Sequence, residues 1–143
     1  VGDFKERIRR FAADYRYEQS FQAPDAHILV VDDSPVILRS MKAMLDKEYD
    51  VSIATSGVQA MTSIGKKRPD LIFLDYEMPV CDGRMTLEMI RKEEELKEIP
   101  VIFLTGVADK EHIEAVLKLK PNGYFLKPAS EEQLKGAIQN IFK

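Results

Sequence analysis

The 143 residues, 45% hydrophobic and 31% charged, suffice for one globular domain with a single core. The formal net charge of −3 excludes a general affinity for nucleic acid or an anionic membrane. One cysteine, Cys81, rules out an internal disulfide, and His27 and His112 are too few and too far apart for a zinc site.

The first two dozen residues stand apart. "FKERIRRFAADYRYEQSF" places Phe4, Ile8, Phe11 and Tyr15 on one helical stripe among basic residues. Two readings stand: an extra helix packed on the same domain, or a linker or dimerisation helix that would make the chain a homodimer. "QAPDA" breaks the pattern, so the boundary is drawn between an N-terminal helix and linker, 1–25, and a second unit, 26–143.

From there strands and helices alternate. "HILVVDD" (27–33) is a continuous apolar run ending in two acids. Runs without polar alternation read as strands buried on both faces, as in a parallel sheet. "SPVILRSMKAMLDKE" follows as a helix, with Ser34 as N-cap, Pro35 at the first position and Ile37, Met41, Met44 and Leu45 at helical spacing. "YDVSIAT" (49–55) alternates, as an edge strand does, and "SGVQAMTSIGKK" is a short helix ending near Gly65.

"LIFLD" (71–75) is another buried strand with an acid at its end. Asp82-Gly83 reads as turn chemistry opening the helix "GRMTLEMIRKEEELKE", which the pattern carries to Pro100. "VIFLT" (101–105), the helix "ADKEHIEAVLKLK", the strand "YFLK" (124–127) and the helix "ASEEQLKGAIQNIF" complete the chain. In the last helix Ser130 is the cap and Leu134, Ala137, Ile138 and Ile141 face the core. This alternation predicts an α/β domain with a parallel sheet.

Each strong strand ends in a polar residue: Asp32-Asp33, Asp75, Thr105 and Lys127. Ligands of parallel α/β sheets bind outside the carboxyl ends of the strands, where the strand order reverses. With an order 2-1-3-4-5, Asp33 and Asp75 would converge there. Convergent carboxylates repel unless a cation lies between them, and a hard divalent ion with oxygen ligands, Mg²⁺, fits. Lys127 and Thr105 add a positive charge and a hydroxyl donor, groups suited to the oxygens of a phosphoryl group. Asp75, on a central strand, is the best placed nucleophile.

With the motifs "VVDDSP", "LIFLDYEMPVCDG", "FLTG" and "GYFLKP", the chain from about Ala26 to Lys143 resembles the receiver domain of two-component response regulators, chemotaxis regulators among them. The resemblance implies a flavodoxin-like, doubly wound, five-stranded parallel sheet of order 2-1-3-4-5 with helices on both faces. It implies that Asp75 accepts a phosphoryl group from a histidine kinase or phosphotransfer protein, without turnover of a small molecule. Asp33 and Asp75 would ligate Mg²⁺ directly, Asp32 through water, and Glu77 through its backbone carbonyl. Thr105 would be the switch hydroxyl, Lys127 the ion-pairing lysine, and Tyr124 an aromatic that moves with Thr105. A cis bond is expected before Pro128.

Phosphorylation adds close to two negative charges and three acceptor oxygens. It would bias a two-state arrangement of the last strand and its flanking helices, presenting a changed face to a downstream protein or effector domain. Glu77 departs from the family, where a neutral side chain is frequent, and predicts an altered phosphoryl lifetime. Gly106 is expected to leave access open, and Cys81 to be a partly buried bystander. A cytoplasmic location is expected, since no run approaches membrane-spanning length and the N-terminus lacks a signal-peptide core. Two other readings compete: a phosphorylation-independent interaction module, and an aspartate-nucleophile phosphohydrolase of the haloacid-dehalogenase type. The latter wants Asp-x-Asp where this chain has Asp75-Tyr76-Glu77.

Overall fold

A computed structural model describes residues 26–142. The expected N-terminal helix, with its linker or dimerisation role, lies outside the described residues. Five parallel strands, β1 (His27–Val31), β2 (Asp50–Ala54), β3 (Leu71–Asp75), β4 (Val101–Thr105) and β5 (Gly123–Leu126), form one sheet of order β2-β1-β3-β4-β5. The helices between and after them are α1 (Pro35–Leu45), α2 (Gly57–Lys66), α3 (Gly83–Lys92), α4 (Lys110–Lys118) and α5 (Glu131–Ile141).

Strand periodicity divides the core into two layers. Ile28, Val30, Leu71, Phe73, Ile102 and Leu104 point to one face and pack with Leu38, Met41 and Leu45 of α1 and Leu134 and Ile138 of α5. Leu29, Val31, Ile72, Leu74 and Phe103 point to the other and meet residues of α2, α3 and α4, including Ile64, Ile90 and Val116. Every residue of β1, β3 and β4 is buried. Each large aliphatic side chain buried in this way contributes about 1.5–3 kcal/mol.

The helix starts are dictated locally. Ser34, Ser56, Asp82, Asp109 and Ser130 each accept a backbone N–H of the first turn through a side-chain oxygen. At Ser130 the Gln133 side chain returns the bond, closing a capping box. The bond from Lys127 to Pro128 is cis.

Two expectations are corrected. The helix expected to reach Pro100 ends at Lys92, because Glu93 leaves helical geometry and its carbonyl accepts the N–H groups of Leu96 and Lys97. The turn so formed buries Ile99, whose carbonyl accepts from Arg91 Nη1 at 2.8 Å, a contact a straight helix would forgo. The strand at "YFLK", an apolar run that reads as buried on both faces like the other three, is half-buried: it is the far edge of the sheet, and Leu126 is 44% exposed.

Candidate functional site

Because all strands run parallel, their carboxyl ends share one rim of the sheet. The order β2-β1-β3 places the residues after β1 beside the end of β3, at the switch point. Asp32, Asp33 and Asp75 each offer a carboxylate oxygen there, and these atoms lie within 4.8 Å of one another. Asp32 and Asp75 are fully buried, whereas Asp33 faces solvent.

Lys127, immediately after β5, reaches into this cluster. Its Nζ stands 2.7 Å from Asp75 Oδ1 and 2.9 Å from Asp32 Oδ2. The backbone N–H of Ser34 donates to Asp32 Oδ1 at 2.9 Å, and that of Glu77 to Asp75 Oδ1 at 3.1 Å. Burial pushes the Asp75 carboxyl up to about 7; Asp32 and Asp33 add to this, and Lys127 opposes it. Burial disfavours the Lys127 ammonium, but its bonds to Asp75 and Asp32 prevail and hold its pKa above the usual lysine value.

Asp75 Oδ2 is buried and receives no hydrogen bond. Its neighbour Asp33 cannot donate when ionised, and one ammonium is shared by two buried acids. An unpartnered buried carboxylate oxygen is costly. Three converging carboxylates, with Asp75 Oδ2 unpartnered, fit a hard divalent cation that Asp33 and Asp75 could ligate directly and Asp32 directly or through water.

The loop after β3 is tied down where it leaves Asp75. Gly83 N donates to Tyr76 O at 3.0 Å, and a Cβ on Gly83 would lie 2.6 Å from Asp75 O and 2.7 Å from Tyr76 Cα. Only glycine allows α3 to begin so close to the backbone that carries Asp75. Cys81 is half-buried, its Sγ 3.5 Å from Thr86 Oγ1.

A second cluster adjoins the first. Thr105 is fully buried at the end of β4, and its Oγ1 donates to Glu77 Oε2 at 2.5 Å. Glu77 Oε1 accepts from Gly106 N at 2.7 Å. His112 Nε2, on the first turn of α4, is 2.8 Å from Thr105 Oγ1 and 3.1 Å from Glu77 Oε2. The His112 ring meets Tyr76 edge-on, with centroids 4.9 Å apart.

The structure thus brings Asp32, Asp33, Asp75 and Lys127 together, with Thr105 and Glu77 on the adjoining strand end and loop. Tyr124 is half-buried, opposite Phe103 in the register of β4 and β5 and packed on the α2-α3-α4 layer. Gly106 is exposed, in keeping with the access expected there, and its N–H and the Thr105 hydroxyl converge on the Glu77 carboxylate. His112 was missed as a site residue. Its signal was its position one turn into the helix that follows the Thr105 strand, with Asp109 capping its backbone N–H at 2.9 Å.

Among known proteins, the model of the response regulator receiver domain matches residues 28–139. Protein PilG of Pseudomonas aeruginosa is 35% identical over 122 residues, covering 82% of this chain and 88% of that protein. A protein-glutamate methylesterase/protein-glutamine glutaminase of Trichodesmium erythraeum is 38% identical over 126 residues, 84% of this chain but 35% of the relative. The chain spans between 7% and 56% of the length of six other curated relatives that it matches. The chemotaxis protein CheY4 of Vibrio cholerae superposes with a TM-score of 0.76 at 30% identity, covering 82% of this chain and 98% of that one.

Proposed function

The chain belongs to the response regulator receiver family, and from that premise we propose that it is a phosphoacceptor whose Asp75 takes a phosphoryl group from a histidine kinase or phosphotransfer protein. The observation that carries this reading is the open, buried oxygen of Asp75 beside Asp32, Asp33 and Lys127. Receiver domains are signalling domains that act with kinases and effectors, and their acidic pocket generally binds Mg²⁺.

In this reading an Asp75 carboxylate oxygen forms a bond to phosphorus as the bond to the donor's histidine nitrogen breaks, leaving an acyl phosphate. Bound Mg²⁺, on Asp33, Asp75 and the Glu77 carbonyl, with Asp32 acting through water, would offset the charge of the acids and the transferring group. Lys127, already on Asp75, would follow the new negative charge. Thr105 would donate its hydroxyl to a phosphoryl oxygen, and Tyr124, opposite Phe103, would answer its movement.

The output face proposed is that of α4, β5 and α5, where Leu117 is 51% and Leu126 44% exposed. These are single exposed apolar residues on a mixed-charge surface, and the partner read for this face is a protein or effector domain. Among the described residues no helix is long and apolar enough to cross a membrane; the setting proposed, by likeness to the family, is the cytoplasm.

The test is intact mass after incubation with phosphoramidate, with and without Mg²⁺. A metal-dependent gain of one phosphoryl group, lost in Asp75→Ala, is expected. No adduct under either condition would leave a phosphorylation-independent interaction module as the reading, and continuous release of phosphate from many esters would favour a phosphohydrolase.

A further inference from the structure

We propose that Glu77 is an internal competitor for the phosphoryl group, holding the donors that group would use, and that His112 positions it there. The inference rests on the phosphoacceptor reading and adds to it a built-in occupant of the site.

The hydroxyl of Thr105 carries one proton, and that proton is given to Glu77 Oε2. The Gly106 N–H is given to Glu77 Oε1. One carboxylate therefore consumes two converging donors at the end of β4, much as two oxygens of a phosphoryl group would. While Glu77 is in place, Thr105 has nothing left to donate. Bonds from neutral donors to an ionised acceptor are stronger than neutral pairs, so the carboxylate is held firmly.

His112 completes the arrangement. A carboxylate only accepts, and the Thr105 proton is already committed, so His112 Nε2 is the N–H that both oxygens face at 2.8 and 3.1 Å. The ring is fixed by the edge contact to Tyr76, which itself packs edge-on against Phe103. The side chains of His112 and Glu77 are 18% and 35% exposed, so the contact is only partly screened by solvent.

A phosphoryl group on Asp75 cannot share these donors with Glu77, because two anions at one pair of donors repel. The group must displace the carboxylate before Thr105 can bond it. Glu77 thereby sets a threshold for the switch that differs from simple charge repulsion. Repulsion needs only a negative charge near the site; competition needs this carboxylate to reach both donors with His112 behind it.

The two are separated by variants that keep the charge. Glu77→Asp retains the carboxylate but is one methylene short of both donors, and His112→Phe retains the ring contact to Tyr76 but cannot donate. Each is expected to bind beryllofluoride, a mimic of the phosphoryl group, about threefold to tenfold more tightly than the parent in the presence of Mg²⁺. Calorimetric titration reads this directly. Unchanged or weaker binding in either variant overturns the competitor assignment. In the parent protein, the Glu77 side-chain carboxyl ¹³C and the Gly106 amide resonances should move together on adding beryllofluoride, and a stationary Glu77 resonance would also overturn it. If Mg²⁺-dependent binding is present but these expectations fail, the phosphoacceptor reading stands alone. If no protein binds beryllofluoride or gains mass at Asp75, both fall.

Discussion

Lys127 Nζ donates to Asp75 Oδ1 at 2.7 Å, joining residues 52 positions apart in the chain. The same ammonium stands 2.9 Å from Asp32 Oδ2, so one positive charge keeps two buried acids compatible. Replacing Lys127 by Met leaves those acids facing each other. In metal-free protein the expected loss is about 2 kcal/mol at pH 8, since a buried pair has lost its partner. At pH 5.5 most of the loss should vanish, because Asp75 then holds a proton. Urea denaturation at the two pH values checks this, and an equal loss at both would sink it.

Asp75 itself makes the metal-free fold sensitive to pH. Its carboxyl titrates near 7 in the folded protein, raised chiefly by burial, against about 4 in the unfolded chain. The folded state therefore binds this proton more tightly. The stability so gained is complete below about pH 4 and is lost as pH rises through about 7. Asp75→Asn, which carries no charge, should be the more stable protein at pH 8 by about 2 kcal/mol and should lose that advantage near pH 4. Thermal unfolding in chelator is the measurement.

Divalent cations should act in the opposite sense. Mg²⁺ needs the ionised carboxylates, so its stabilising effect is expected to be larger at pH 8 than at pH 5.5. Asp33 is the exposed member of the cluster, and removing it leaves the core untouched. Asp33→Asn should weaken Mg²⁺ by about tenfold or more with little change in metal-free stability. A calorimetric titration that found equal affinity would remove Asp33 from the site.

Gly83 supports the site through backbone contact alone. A Cβ there would press on Asp75 O and Tyr76 Cα at 2.6 and 2.7 Å, and backbone cannot yield as a side-chain tip can. Gly83→Ala is expected to cost about 2 kcal/mol and to slow phosphorylation by displacing Asp75. Alanine at Gly136, where nothing lies within 4 Å of an added Cβ, is the control and should be neutral or better. Comparable losses at both positions would refute the close-approach argument.

Much of this molecule was legible in its residues. The buried strands announced themselves because a strand covered on both faces must be apolar throughout, as β1, β3 and β4 are. The caps were equally plain, since a helix start needs an acceptor and Ser34 and Ser130 supply one. The early end of α3 was hidden because helical spacing continues past Lys92, and only the burial of Ile99 and its bond from Arg91 explain the turn.

The sequence by itself determined the chemistry at the strand ends: Asp32, Asp33, Asp75, Thr105 and Lys127 each follow or close an apolar run that fixes its position on the rim. Tertiary structure alone decided how these groups spend their hydrogen bonds. Glu77 promised a charge pointed at the site, yet it is bound to Thr105, Gly106 and His112. That outcome depends on donors 28, 29 and 35 positions away, brought within reach by strand order. Strand and helix periodicity is written in near neighbours along the chain; the pairing of one carboxylate with donors from another strand and helix exists only once the sheet has formed.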